Sequence, residues 1–136
     1  MCGHTGVDKY ANLKKRTMRF ALDVTQFCRT LPRHNYEGWH VQSQLFRAAT
    51  GTAANYRAAC RFKSQPDFIS KIGSAIEEAD ESDFWLEFCV EAGLTRRGSE
   101  TRLRSEADEL LAIFHQSRAT ARANLEAAGK SKPTDH

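Results

Sequence analysis

Apolar residues recur along the chain at alternating intervals of three and four in four separate runs, the period of α-helices that each bury one stripe. The first run covers about residues 8–31 and its seam reads Leu13, Thr17, Phe20, Val24, Phe27, Leu31. Asp8 stands where an N-cap is expected. Pro32 stops the run, because the residue before a proline avoids the α region. Pro32 to Gly38 reads as a loop. The second run covers about 39–63, with an inner face of Val41, Leu45, Ala48, Ala49, Thr52, Tyr56 and Ala59. The third covers about 67–93, through Phe68, Ile69, Ile72, Ile76, Ala79, Leu86 and Val90. Two starts are open to it. Either Asp67 begins the helix, or Pro66 is its first residue behind a Ser64 or Gln65 cap. Gly93 fits a C-terminal glycine stop. The fourth runs over about 99–128, capped by Ser99, through Leu103, Ala107, Leu110, Phe114, Ala121 and Leu125. Ala127-Ala128-Gly129 is expected to end it, with Lys130 to His136 an unstructured tail.

Helices of about 25 residues are roughly 37 Å long at 1.5 Å per residue. Short connections between them force antiparallel neighbours. The predicted fold is therefore all-α, an antiparallel up-down-up-down four-helix bundle forming one domain over residues 1–136. A long coiled coil would need heptads that the loops and glycines interrupt. The middle of helix two, Ala48 to Ala54, is small on every side and contains Gly51. A mid-helix glycine costs about 1 kcal/mol relative to alanine, so this helix is expected to be packed closely on more than one side.

Composition is that of a globular domain, with 40% hydrophobic and 27% charged residues. No apolar run is long enough to span a membrane, and Met1 to Gly6 lacks the apolar stretch of a signal peptide behind it. Four cysteines without CxxC spacing suggest reduced thiols and a cytoplasmic chain. The net charge is only +3, but it is unevenly placed. Residues 1–63 carry 11 Lys/Arg against 3 Asp/Glu, and residues 67–93 carry one Lys against eight Asp/Glu.

That imbalance gives meaning to the faces opposite the seams. On helix three, Phe84, Trp85 and Phe88 project away from the inner face, and Met18 and Leu22 do so on helix one. Exposed aromatics in a group mark a contact surface, here read as a homo-oligomer interface. Helix two repeats Arg47, Thr50, Ala54, Arg57 and Arg61 on its outer side, and helix three carries outer Glu77, Glu78 and Glu81. Two readings stay open. The basic and acidic stripes can neutralise each other within or between subunits, giving a protein-interaction scaffold with no nucleic-acid binding. Alternatively, Lys14, Lys15, Arg16, Arg19, Arg47, Arg57 and Arg61 contact nucleic-acid phosphates. Asp83, on the core side of helix three, is expected to bond Tyr56 or an arginine.

Little points to catalysis. Glu37-Gly38-Trp39-His40 has Glu-x-x-His spacing, but a di-iron bundle needs two such motifs and two more inward carboxylates. The five histidines never stand four apart, as a helical zinc pair would. Gly51 is not followed by the Gly-Lys-Ser/Thr of a phosphate loop. Cys28 and Cys89 fall near one end of the bundle and are read as small buried hydrophobes. No enzyme activity, metal, cofactor or small-molecule substrate is expected.

Helix two also carries a resemblance. Gln44-Leu45-Phe46-Arg47-Ala48-Ala49-Thr50-Gly51-Thr52-Ala53-Ala54-Asn55-Tyr56-Arg57-Ala58-Ala59-Cys60-Arg61 resembles the signature of the proteins encoded in 23S rRNA intervening sequences, the S23 family. The flanks agree at Arg16-Thr17, Phe20-Ala21, Leu31-Pro32, Phe68 to Ile72, Glu77 to Glu81 and Phe84 to Glu87. The likeness covers about residues 9–92, and helix four matches only in character. Gly51 stands where that family usually has serine, and Ala58 where it has glutamate. The resemblance implies a bacterial four-helix protomer that forms a homopentamer. It also implies kinship with the accessory variability determinant of diversity-generating retroelements, a basic pentamer that associates with RNA and a reverse transcriptase. The expected partners are therefore further copies of the chain and RNA or a nucleoprotein.

Overall fold

The computed structural model describes residues 7–131, and side chains over 12–129. Four helices follow one another: α1 (Val7–Arg29), α2 (Tyr36–Cys60), α3 (Gln65–Glu91) and α4 (Thr101–Ser131). Each packs on its neighbours in chain order, and α4 closes the circle against α1. The arrangement is the antiparallel four-helix bundle predicted. The core draws on all four helices, with Leu13, Phe20, Val24, Leu45, Tyr56, Phe68, Ile72, Leu86, Leu110 and Phe114 all buried. Every seam residue named for α1 and α2 is buried. Tyr56 stacks on Phe114, with ring centroids 5.6 Å apart, across the middle of the bundle. The buried hydroxyls of Thr17, Thr52 and Ser82 donate to carbonyls of their own helices, so they enter the core without an orphaned donor.

Helix ends depart from the sequence reading in instructive ways. α1 starts at Val7, which puts Asp8 inside the helix, and it ends at Arg29 in a turn over Thr30 and Leu31. The Cys28 carbonyl at that end accepts from Leu31 N at 3.1 Å and also from Gln42 Nε2 at 2.7 Å. α2 starts three residues earlier than predicted. Asn35 is its cap, accepting from the Gly38 amide at 3.1 Å. Gly38 thus belongs to the first turn of α2. A Cβ there would fall 2.3 Å from the Pro32 carbonyl oxygen, so only glycine lets the incoming loop fold back on the helix. For α3 the Ser64 cap of the proline alternative holds, accepting from Asp67 N, but the helix opens at Gln65, one residue before Pro66.

Gly93 ends α3 as predicted, at φ +73°, with Leu94 N donating to Cys89 O and Gly93 N to Val90 O in a Schellman closure. Ser99 does not cap α4. Its hydroxyl donates to Arg96 O within the loop, and Arg104 N donates to Glu100 O, so the cap is Glu100. α4 then passes Gly129 and reaches Ser131. From residue 122 on, its described side chains are exposed, and Leu125, expected in the seam, is 40% exposed beyond the end of the core. The tail expected from Lys130 is helical to Ser131, and residues 132–136 lie outside the described residues, as do Met1 to Gly6.

α2 and α3 share the most extensive contact in the molecule, and α1 and α4 the least. Gly51 shows why the first pair approaches so closely. A Cβ on it would stand 2.8 Å from Glu78 Oε2, so the α3 carboxylate lies over bare backbone. The loosely packed α1–α4 seam is closed by charge instead. Arg16 donates to both carboxylate oxygens of Glu106, at 3.0 and 2.7 Å, and also reaches Glu109 at 3.1 Å. Farther along, Asp23 pairs with Arg102 at 3.3 Å. The Asp83 carboxylate, for which Tyr56 or an arginine was expected, is held by the fork of Arg104 at 2.8 and 3.2 Å.

Two outcomes follow from these charges. Asp83→Ala strands a half-buried guanidinium and should cost about 1–3 kcal/mol in urea denaturation. A loss below about 0.5 kcal/mol would mean that solvent already screens the fork. Burial raises the Glu78 carboxyl above its ordinary value, helped by Glu81 and Glu77 and opposed by Arg47. The folded state therefore holds that proton more tightly than the unfolded chain. Stability falls as pH rises from about 4.3 through the raised pKa. Glu78→Gln should stabilise the protein at pH 7. The gain should vanish below about pH 4, where both states carry the proton, and denaturation midpoints across this pH range measure it.

Candidate nucleic-acid interface

The seven cations nominated from the sequence separate into three environments. Arg16 is engaged inside the bundle by Glu106 and Glu109. The hydrogen bond to Glu106 raises its pKa, against the effect of its burial, which makes it a clasp between α1 and α4 with no free fork for a phosphate. Arg47 donates to Gln44 on its own helix and lies close enough to Glu78 to lower that carboxyl's pKa. It belongs to the α2–α3 side. Arg19 is largely exposed and reaches Asp23 only at 3.9 Å.

The remaining four, Lys14, Lys15, Arg57 and Arg61, come together. α1 and α2 run antiparallel, so the start of α1 lies beside the end of α2. Three adjoining clefts mark this region. The first, of about 300 Å³, has an apolar floor of Met18, Ala21, Ala53 and Ala54 between Lys14 and Arg57. The second lies along α1 past Lys15 and Arg19. The third passes from Arg57 and Arg61 to Lys63 and Lys71 at the start of α3. Arg57 lines all three. Lys14, Lys15, Arg57, Arg61, Lys63 and Lys71 form no ion pair among the described residues. One carboxylate, Asp67, shares the third cleft, and its Oδ2 accepts from the Lys63 backbone amide at 2.9 Å. Lys63 and Lys71 escaped the sequence reading because neither continues the α2 stripe. Only the tight α2–α3 turn carries them round to it.

The residues nominated for self-association are split as well. Phe84 and Phe88 are 53% and 37% exposed, and Met18 and Leu22 are 42% and 49% exposed. Trp85 is half-buried against the core, donates Nε1 to Glu81 at 3.3 Å and meets His40 of α2 edge-on at 5.8 Å. It is also in edge contact with Phe84 and Phe88, so it supports the two phenylalanines from beneath. Tyr36, Trp39 and Phe46 on α2 are exposed too, which the sequence reading did not single out.

The thiols offer no nucleophile. Burial pushes Cys28 up to about 12, and burial with Cys28 nearby does the same to Cys89, so neither is a thiolate at neutral pH. Both are free, whereas Cys60 is disulfide-bonded, so the expectation of reduced thiols does not hold at that position. Among the described residues no three His, Cys, Asp or Glu side chains group as metal ligands, and no helix is long and apolar enough to cross a membrane.

The 23S rRNA-intervening sequence protein family model matches residues 10–116, which extends the likeness through α3 and well into α4. No protein of curated function matches the chain at a significant level. Among solved structures, a protein of unknown function from the S23 ribosomal protein family of Bacteroides thetaiotaomicron VPI-5482 is similar, with a TM-score of 0.75 and 23% identity. The match covers 82% of this chain and 98% of that one, and it establishes a shared fold. With α2, α3, nearly all of α1 and the first half of α4 inside the family match and the same bundle in that relative, the chain belongs to the 23S rRNA-intervening sequence protein family.

Proposed function

We propose that this protein is a non-enzymatic, self-associating bundle that binds RNA, alone or within a nucleoprotein, through phosphate contacts at the α1–α2 edge. One observation carries the reading. Lys14, Arg57, Arg61, Lys63 and Lys71, drawn from three helices and a turn, line adjoining clefts, and among the described residues no carboxylate is paired to any of their side chains. Arg16, Arg97, Arg102 and Arg104, by contrast, each have a carboxylate partner. A group of cations left unpaired in a chain of net charge only +3 is a local electrostatic footprint suited to a polyanion. The exposed Phe84, Phe88, Met18 and Leu22 support self-association, and a ring of copies would repeat the basic edge around its circumference. The pentameric number is what the family resemblance implies.

A protein-interaction scaffold is the second reading, favoured by the apolar floor between Lys14 and Arg57, which a bare phosphate backbone does not need. Filter binding with single-stranded RNA separates the two. Log affinity should fall linearly with log salt, and Arg57→Ala with Arg61→Ala should flatten the slope by about 1.4 for two lost contacts. Arg96→Ala, in the loop at the opposite end of the bundle, should leave the slope unchanged. No retention of RNA at about 50 mM salt, where phosphate contacts are strong, would refute the RNA reading and leave the scaffold.

A further inference from the structure

Among the described residues the backbones of α1 and α3 nowhere come close, so these helices sit diagonally across the bundle, with their outer faces turned in opposite directions. These two faces are complementary. The α1 face exposes Lys15, Met18, Arg19, Leu22 and Arg29. It is basic, with two aliphatic side chains at its centre. The α3 face exposes Glu77, Asp80, Phe84, Glu87, Phe88 and Glu91. It is acidic, with two phenylalanines braced by Trp85 at its centre. Neither face is neutralised at home. Lys15, Arg29, Glu77 and Asp80 have no ion pair among the described residues, Glu87 lies 3.7 Å from the half-buried Arg104 that Asp83 already holds, and Glu91 pairs with the exposed Arg97 at 3.3 Å.

Resting on the self-association proposed above, we propose that the acidic aromatic face of α3 in one copy seats on the basic aliphatic face of α1 in the next, head to tail. Charge excludes the two-fold alternatives. Pairing α3 with α3 would set Glu77, Asp80 and Glu87 against themselves around the phenylalanines. Pairing α1 with α1 would do the same with Lys15 and Arg19. Like charges across an interface cost several kcal/mol, whereas opposite ones steer and fix register. Because donor and acceptor faces lie on different sides of one copy, the contact is heterologous and propagates from copy to copy, as a ring where the rotation between copies closes and as an open filament where it does not. It buries Phe84, Phe88, Met18 and Leu22 together. It also takes Lys15 and Arg19 into the interface, which leaves Arg57, Arg61, Lys63 and Lys71 as the free basic edge.

Charge exchange tests this, with analytical ultracentrifugation of the full chain as readout and circular dichroism to confirm helix content. Lys15→Glu with Arg19→Glu should disperse the assembly, weakening association by about 100-fold or more. Glu77→Lys with Asp80→Lys should do the same. All four changes in one chain restore opposite charges across the contact and should return the wild-type mass. Equimolar mixing of the two double variants should also regain assembly. If the α1 double variant keeps the wild-type mass, or the quadruple variant stays dispersed, the head-to-tail contact is overturned while self-association stands. A wild-type chain that is monomeric at micromolar concentration removes self-association itself. Should a double variant lose helix content, Phe84→Ala with Phe88→Ala and Met18→Ala with Leu22→Ala replace the pair. Each should be monomeric alone and the two should form a heterodimer when mixed, a result that only a contact between unlike faces yields.

Discussion

The small middle of α2 sets the geometry on which the rest depends. Ala48, Ala49 and Thr52 are buried, and Gly51 lets Glu78 of α3 lie on the helix backbone. Small side chains bring neighbouring helices close, and close approach is where dispersion contacts accumulate. α2 therefore becomes the spine of the bundle, with α1 on one side and α3 on the other. The other side of the circle has no such helix. There α1 and α4 meet least, and ion pairs from Arg16, Asp23, Arg102, Glu106 and Glu109 close a seam that side-chain packing leaves open. Such pairs hold orientation more than they stabilise, since partly exposed charges gain little net free energy. The bundle is thus tight along α2 and ionic along α1–α4.

That asymmetry decides what each charge is free to do. Arg16 and Arg104 look on paper like any other surface cations, yet both forks are filled by carboxylates of a different helix. Arg57 and Arg61 look no different in sequence, but the end of α2 where they stand has basic neighbours on both sides. The basic edge is a product of antiparallel packing, which brings the lysines of early α1 and of the α2–α3 turn beside the arginines of late α2.

The legible part of the fold was the part governed by local rules. The four seams follow from helical period, the Ser64 cap from its hydroxyl and the proline behind it, and the Gly93 stop from φ +73°. The misreadings share one cause, a residue whose use depends on something distant in the chain. Gly38 was read as loop, and the reason for a glycine in the first turn of α2 is the Pro32 carbonyl folded over it. Ser99 is a good cap by type, but its hydroxyl is spent on Arg96 O. Leu125 keeps the seam's period past the point where the partners end. For the basic edge, the residue types were visible and the pairing was not. Arg16 dropped out only once Glu106 stood opposite, and Lys63 and Lys71 joined only once the turn was folded.

The diagonal placement of α1 and α3 carries the last step. In a four-helix circle, adjacent helices can neutralise each other's flanks, but diagonal ones cannot, because the core lies between them. A chain with a basic α1 and an acidic α3 can pair what lies at the seams, as Arg104 does with Asp83 and Arg16 with Glu106. Among the described residues, the charges on the outermost faces, Lys15 and Arg19 on one side and Glu77 and Asp80 on the other, form no ion pair beyond the 3.9 Å approach of Arg19 to Asp23. With phenylalanines at the centre of one face and aliphatic side chains at the centre of the other, the two surfaces are complementary in the way the proposed contact between copies needs. The net charge of only +3 then reflects two unlike faces that largely offset each other rather than a uniformly neutral surface, which is the balance that the proposed head-to-tail contact uses.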